Sequence, residues 1–522
     1  MVPIATDSNG VATRDPEVLI VGAGPTGLVL ALWLTRLGVR VRIVDKAAEP
    51  GETSRAIAVA ARTLELYRQL DLSREVVELG LPLAAFNVWV DGKREGRAEL
   101  GAGGAGLSPF PYALVFPQDE HERLLGRRLA ALGVDIERST ELLDFEQSGG
   151  GVTARLRGPD GAVSICHAAF LAGCDGAKSV VRQGLNIGFP GGTYAHLFYV
   201  ADVEASGPQI NREAHVAFGD DGDFVACFGL RDARHARLIG TVRPDAEDKR
   251  DSLDWKDVNK RVLERLGLTV AHVNWFSTYR VHHRVASAFR IGRVFLLGDA
   301  AHIHSPVGGQ GMNTGIGDAS NLAWKLAMAL RRTADARILD SYEEERVPFA
   351  RTLVQTTDRA FEFVTADGPI ARRMRTDVVP RILGRVFRSS AARRVLFRIV
   401  SQIRVSYRRS LLSEGQAGRV HGGDRLPWVP GEGGADNFDA LRSIGWQTHV
   451  YGDADPALRD TCAERGLPLK VFRPEPQAEA AGLARDAAYL VRPDGYVALA
   501  AADDAPARIR RYFDARAIRL PG

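Results

Sequence analysis

Val18-Leu-Ile-Val21, Gly22-Ala-Gly24-Pro25-Thr26-Gly27 and the apolar run Leu28 to Leu37 follow one another near the start of the chain. The first is short and β-branched, as a strand buried on both faces should be. The third has the apolar pattern of a buried helix, which Gly38 closes. Val39 to Val44 reads as a second strand, and Asp45 ends it 18 residues after Gly27. This is the βαβ dinucleotide fingerprint in its required context. Gly22 permits the tight turn, Gly24 lets backbone approach a pyrophosphate, and Gly27 lets the helix pack on the strand. Pro25 and Thr26 lie within the same turn. The helix N-terminus offers N–H groups and positive dipole to phosphate. Asp45 is placed to accept from a ribose hydroxyl, with Lys46 beside it as a further candidate contact.

Outward from this unit, the chain has 522 residues, enough for two to four domains. With 45% hydrophobic and 25% charged residues it has the composition of a globular protein, which excludes disordered and collagen-like chains. A net charge of +4 does not argue for a nucleic-acid partner. The four cysteines, Cys166, Cys174, Cys227 and Cys462, form neither a CxxC pair nor a zinc pattern, so no metal site is expected. A reduced, cytoplasmic setting is the simplest reading. Met1 to Pro16 lacks the apolar core of a signal peptide and reads as a flexible leader over 1–15. The run Val18 to Thr35 nears membrane-spanning length, but Gly22, Gly24, Pro25 and Gly27 interrupt it, so no transmembrane segment is expected.

A second stretch, Gly101-Ala-Gly103-Gly-Ala-Gly106, matches GxGxxG letter for letter. It follows the charged segment Asp91 to Glu99 and precedes Leu107-Ser-Pro-Phe-Pro111, which cannot start a long helix. It reads as a flexible loop.

Two later motifs add a ligand-binding frame. Asp175-Gly176 follows the strand-like Ala168 to Leu171, with Ser179 and Arg182 on the turn or helix beyond. Arg293 to Leu297 is a buried strand ending in Gly298-Asp299, followed by Pro306, Gly309, Gly311, Met312 and Asn313 and a helix to Leu330. Asp299 is placed to hydrogen-bond a polyol. Bare glycine backbone allows a flat ring to approach, and the helix N-terminus would face negative charge on it.

With GxGxxG at 22–27, DG at 175–176 and GD at 298–299, the chain resembles the FAD-dependent aromatic hydroxylases of the p-hydroxybenzoate hydroxylase type, the class A flavoprotein monooxygenases. The likeness covers about 16 to 365. It implies FAD, with NADPH or NADH as a transient co-substrate and O2 as oxidant, and a C4a-hydroperoxyflavin that hydroxylates a phenolic or polycyclic ring. Ser54-Arg55-Ala56 resembles the segment lining the isoalloxazine, so Arg55 is expected to hold or guide a mobile flavin. Phe116-Pro-Gln118 resembles the segment whose Gln contacts the flavin side chain. Pro306 is expected near substrate, and Asp175 and Arg182 are associated with reduction by NAD(P)H. The C-terminal stretches Gly423 to Pro427, Gly445-Trp446 and Leu490 to Ala498 resemble the thioredoxin-like domain of the longer family members. Cys462 is the only cysteine there, which argues against redox chemistry in it. Tyr279-Arg280, Gly298 to Pro306 and Tyr407-Arg408 resemble the phenol and pentachlorophenol hydroxylase branch, most of it shared with the polyketide-tailoring branch.

The expected fold is α/β: a Rossmann-like FAD-binding domain at 16–187 and 286–365, an inserted substrate-binding β-sheet domain at 188–285, a basic helical linker at 366–414 and a thioredoxin-like domain at 415–522. Within 371–410 stand twelve arginines against the single Asp377. A solvated linker is favoured over a membrane- or nucleic-acid-docking helix. Tyr279, His282 and His283 lie between substrate sheet and flavin domain and are candidates to meet a phenol. His302 and His304 are not read as metal ligands. A small aromatic substrate is the expected partner, and a homodimer is left open. Baeyer–Villiger oxidation or epoxidation in natural-product tailoring remains an alternative. Halogenation is disfavoured because none of the seven tryptophans forms a Trp-x-Trp motif. A non-catalytic flavin-binding relative is the other class, against which Asp175 and Asp299 argue.

Overall fold

The computed structural model describes residues 15–51, 56–219, 224–232, 234–242, 253–305, 309–365 and 389–520. The strand Val18–Val21 lies inside a six-stranded sheet, parallel to Val41–Val44 on one side and to Phe170–Gly173 on the other. Val294–Leu296 continues the sheet in parallel beyond Phe170–Gly173. Ile136–Glu137 and the antiparallel Arg290–Ile291 form its edges. The sheet thus draws on strands from both ends of the stretch 18–296, as expected when a domain is inserted between them. Val18, Leu19 and Ile20 are fully buried, which explains the unbroken apolar run. The helices Pro25–Arg36 and Gly311–Leu330 pack against each other, and both bury most of their residues.

An eight-stranded sheet follows the order 302–303, 269–285, 191–206, 235–241, 224–229, 213–218, 85–90 and 93–99. It is wider than the 188–285 segment expected from sequence. Ala85–Val90 pairs in parallel with Glu213–Phe218 and brings the hairpin strand Lys93–Glu99 with it. Strand alternation gives this sheet two faces. One carries Leu197, Tyr199, Ala201 and Leu238 against Val262 and Leu263 of the short helix Arg261–Arg265. The other carries Phe198, Val200 and Tyr279, with Tyr194, Phe224, Ile239 and Trp275 partly buried around them.

The second glycine run is not the loop expected from its sequence. Leu100–Gly104 is a short helix, and Gly103 and Gly104 are buried in it. The helix Ser390–Val400 packs across it. A Cβ on Gly103 would stand 2.9 Å from the Arg393 carbonyl oxygen, and one on Gly104 would stand 2.7 Å from the Phe397 ring. The glycines allow close helix contact. Of the arginine-rich segment, 366–388 lies outside the described residues. Its later part is docked, with Phe397 buried while Arg394 and Arg398 face outward.

The C-terminal region forms a mixed six-stranded sheet, ordered 420–421, 414–417, 497–501, 488–491, 447–451 and 469–472. The helices Pro456–Glu464 and Ala505–Ala515 pack together beside it. Cys462 is buried there. No helix among the described residues is long and apolar enough to cross a membrane.

Candidate active site

The three motifs converge on the ends of adjacent parallel strands. Gly22 has φ +104°, and its N–H donates to the Val44 carbonyl at 2.8 Å. A Cβ there would lie 2.3 Å from the Cys174 carbonyl oxygen, beside Asp175. A Cβ on Gly27 would lie 2.0 Å from the Gly22 carbonyl, so this glycine seats the helix on the turn. Gly24 differs from both. A Cβ there would approach nothing nearer than Glu122 Oε1 at 4.0 Å. The helix beginning at Pro25 has no side-chain cap and no acidic residue in its first turn. Its N-terminal N–H groups and the space before Gly24 suit a phosphate.

Asp45 uses Oδ2 to accept from the Ala23 N–H at 2.6 Å and Oδ1 to accept from the Ala47 N–H at 2.8 Å. Its carboxylate therefore braces the glycine turn, with lone pairs left over for a ribose. Lys46 is exposed. Gln118 opens the helix Gln118–Ala131, and its Nε2 donates to Glu122 at 2.8 Å. Burial holds the Glu122 carboxyl above its ordinary pKa.

The DG motif is knit to the GD motif. Asp175 accepts from Ser179 Oγ at 2.6 Å and from the Val181 N–H at 3.1 Å, and burial raises its pKa. Ser179 is the N-cap of the short helix Val180–Gly184, and the Asp175 carboxylate braces that cap and the first turn. Arg182 donates to the Ala300 carbonyl at 2.9 Å and to the Ala177 carbonyl at 2.8 Å. It thus bridges the two motifs through backbone.

Gly298 has φ +58° and lies against Thr26, where a Cβ would come within 2.6 Å of Oγ1. Gly315 meets the same Thr26 Oγ1 at 2.2 Å by the same measure. Asp299 stands exposed on the turn Gly298–Ala300. The helix Gly311–Leu330 starts without a side-chain cap or an acidic residue in its first turn. Asn313 Nδ2 donates to the Ala58 and Gly309 carbonyls, while Oδ1 accepts from the Ala60 N–H and Thr63 Oγ1. Its amide is fully used in tying the helix to 58–63, which leaves the backbone as its means of touching a ligand. Met312 is half-buried nearby, and Gly309 has φ +63°. Arg55 and Pro306 lie outside the described residues.

His304 donates from Nδ1 to the Ser305 carbonyl at 2.8 Å, and burial lowers its pKa to about 4. His302 Nε2 bonds Asp318 at 2.7 Å. Among the described residues no group of three His, Cys, Asp or Glu side chains is placed to hold a metal. His282 bonds Thr193 Oγ1 at 2.7 Å, and His283 packs edge-on to Tyr194. Tyr194 donates to Asp358 of the helix Asp340–Thr365.

Two groups of residues bonded around the motifs escaped the sequence reading. Asp318 accepts from the Gly298 N–H at 3.0 Å and from Arg346 Nε at 2.6 Å. Burial alone would raise its pKa, but Arg346 and His302 hold it below the ordinary carboxylate value. On the sheet face bearing Phe198 and Tyr279, Arg237 makes a bidentate pair with Asp202 at 2.6 Å for each bond. Arg237 also donates to the Ala56 carbonyl at 3.2 Å, next to the 52–55 segment. That contact shows which face of the sheet meets the first domain: the one bearing Phe198, Val200, Ile239 and Tyr279.

An uncapped helix start before an open glycine, an exposed aspartate at a second strand end and a second uncapped helix start suit pyrophosphate, polyol and ring respectively. The donor set fits FAD. Residues 15–357 match the family of FAD binding domains. The chain belongs to that family and is an FAD-dependent monooxygenase. A flavin-dependent monooxygenase of Mycobacteroides abscessus is 32% identical over 92% of this chain and 96% of its own length. The 6-methylpretetramide 4-monooxygenase of Streptomyces rimosus is 38% identical over 68% of this chain and 63% of its own. The anhydrotetracycline hydroxylase OxyS of S. rimosus, a solved structure, superposes with a TM-score of 0.75. It is 29% identical over 96% of this flavoprotein and 99% of its own chain.

Proposed function

We propose that this flavoprotein hydroxylates a polycyclic or phenolic ring held between the eight-stranded sheet and the FAD domain. The observation that carries the reading is the apolar sheet face of Tyr194, Phe198, Val200, Phe224, Ile239, Trp275 and Tyr279, turned toward the first domain. Several of these side chains are only partly buried, which leaves aromatic surface for a flat substrate. The tetracycline-pathway relatives support a polycyclic substrate.

Bound FAD would supply the redox chemistry of an NAD(P)H- and O2-dependent oxygen transfer. Gly22 to Gly27 hold the pyrophosphate, Asp45 and Lys46 the ribose, Gln118 and Asp299 the flavin side chain, and Gly309 to Asn313 the ring by backbone. Asp175 and Arg182 shape the face used for reduction. Arg55 guides the ring, and Tyr279 and Pro306 position the substrate. The sheet excludes water, so oxygen reaches the substrate before it is lost as peroxide.

The domain division expected from sequence is kept except that 85–99 and 302–303 join the 188–285 sheet, and 415–522 is read as a thioredoxin-like module. Its parallel pairs 447–451 with 469–472 and 414–417 with 497–501, joined through antiparallel strands, support that reading. Four unpaired cysteines support a cytoplasmic setting.

The test is NAD(P)H consumption by the purified enzyme against a panel of phenols and polycyclic aromatics, with peroxide and product mass followed together. A substrate should speed NAD(P)H oxidation about tenfold or more, which needs only about 1.4 kcal/mol of preference for the reducible flavin position. Its product should gain one oxygen. Fast consumption without substrate, unchanged on adding one and matched by peroxide, would overturn the reading. A product with oxygen inserted into a ring C–C bond would favour the Baeyer–Villiger alternative.

A further inference from the structure

We infer that Tyr407, on the arm leading into the C-terminal sheet, is a positioning residue for FAD that acts through Arg346 and Asp318. The Tyr407 hydroxyl accepts from Arg346 Nη1 at 2.8 Å. Arg346 Nε donates to Asp318 Oδ1 at 2.6 Å, and its Nη2 donates to the Thr314 carbonyl at 3.0 Å. Asp318 Oδ2 in turn accepts from the Gly298 N–H at 3.0 Å. The chain of bonds ends on the residue beside Asp299 and on the first turn of the helix that starts at Gly311. Both ends belong to the flavin cradle.

Every member is buried: Asp318 is 0% exposed, Arg346 2% and Tyr407 5%. Charge-assisted bonds in such surroundings are strong and geometrically strict. Arg346 spends its three donor nitrogens on three partners in three places, so it reports the position of Tyr407 to both the strand end and the helix start. Tyr407 itself is fixed from the C-terminal side. Its N–H donates to the Gly423 carbonyl at 2.7 Å, and its ring lies 4.4 Å from that of Tyr496. The same arm reaches the cradle a second time, where Gln402 Nε2 donates to Gln310 Oε1 at 2.7 Å and Thr314 Oγ1 at 3.0 Å.

The C-terminal region is also docked by bonds outside this network. Arg492 donates to both oxygens of Glu345 at 2.6 and 3.0 Å. Lys325 donates to Glu345 at 2.9 Å, and Trp324 Nε1 to Asp494 at 3.1 Å. That second network joins the same two regions without touching Gly298. The Tyr407 hydroxyl is therefore separable from domain docking. This inference holds whichever ring the enzyme hydroxylates.

The experiment is FAD titration of the full-length apoprotein, followed by flavin absorbance and fluorescence, with thermal unfolding of the same apoprotein. Tyr407→Phe removes only the hydroxyl. It should weaken FAD binding about 5- to 20-fold and shift the visible flavin bands, while the apoprotein melts within about 2 °C of wild type. Trp324→Phe, which removes the Asp494 bond from the docking network, should lower apoprotein melting and leave FAD affinity within about twofold. Wild-type affinity and spectrum in Tyr407→Phe would overturn the assignment. So would affinity losses in both variants that track their losses of melting temperature. A Tyr407→Phe apoprotein that does not fold would overturn it too, because the hydroxyl would then be holding the fold itself.

Discussion

Gly22-Ala-Gly24-Pro-Thr-Gly27 and Gly101-Ala-Gly103-Gly-Ala-Gly106 match position for position, yet each glycine answers a different neighbour. At the first position, Gly22 needs φ +104° and has a carbonyl where a Cβ would go, whereas Gly101 sits in a helix with nothing within 4 Å. At the third, Gly24 opens onto space the protein leaves empty, whereas Gly103 is pressed by the Arg393 backbone. At the last, Gly27 meets the Gly22 carbonyl, whereas Gly106 at φ +70° meets nothing. The first run clears backbone for a ligand, and the second clears it for another helix. What separates them is the flanking structure: a buried strand before and a long helix after in one case, and an edge strand and a proline-broken turn in the other.

The comparison breaks first at Gly24. Its φ of −75° and ψ of −179° suit any residue, and an added Cβ would come no nearer to a protein atom than 4.0 Å, at Glu122 Oε1. Gly24→Val should therefore fold and melt near the wild-type apoprotein while losing FAD affinity by about 100-fold or more, some 2.7 kcal/mol. The readouts are flavin-to-protein absorbance after purification and FAD titration. Full flavin occupancy in a folded Gly24→Val would place the pyrophosphate elsewhere.

Asp299 tests the same cradle from its other end. Replacing it by Ala removes a charge-assisted hydrogen bond, worth about 1.5–3 kcal/mol. FAD affinity should fall by roughly one to two orders of magnitude on that scale. An unchanged titration would remove Asp299 from the flavin side chain.

Much of this is legible in the amino-acid sequence alone. The strand Val18–Val21, the helix after it and the strand ending at Gly298-Asp299 announce themselves because each is a continuous local pattern buried on all sides. What stayed hidden depends on partners far along the chain. Nothing near Gly103 or Gly104 in sequence says that Phe397 will lie across them, so a helical seam reads as a loop. Asp318 looks like any polar residue on a helix until the fold sets Gly298, His302 and Arg346 around it. Asp175 is recognisable as a motif residue, but not as the acceptor for Ser179 and the Val181 N–H. Arg237 carries no motif at all, and only the register of the sheet delivers it to Asp202 and Ala56.

The helical seam should break in the opposite sense to the cradle. Gly104→Val would drive a side chain into Phe397 and the Pro111 backbone, both at 2.7 Å. Overpacking of this kind costs about 1–3 kcal/mol. Chemical denaturation should show that loss while FAD affinity stays within about twofold of wild type. Trimming the obstruction with Phe397→Leu in the same chain should restore part of it, a coupling that a double-mutant cycle measures. If Gly104→Val lost flavin as Gly24→Val does, the two runs would share a ligand and the contrast would collapse.

The smallest effect has the opposite sign. Gly101 is exposed in the helix Leu100–Gly104, with open space where its Cβ would stand. Glycine in a helix costs conformational entropy that alanine does not, about 0.5–1 kcal/mol at an interior position. Gly101 lies in the first turn of a five-residue helix, so the gain from Gly101→Ala should be nearer the lower figure. Denaturant midpoints should rise slightly with an unchanged slope, and flavin content should not move. At the matching place in the first run, Gly22→Ala would set a methyl 2.3 Å from the Cys174 carbonyl and force alanine to φ +104°. That variant should not yield a folded flavoprotein. One substitution, made at equivalent letters of one pattern, would then stabilise in one place and destroy in the other. A destabilised Gly101→Ala would mean that this helix depends on glycine for more than the approach of its neighbour.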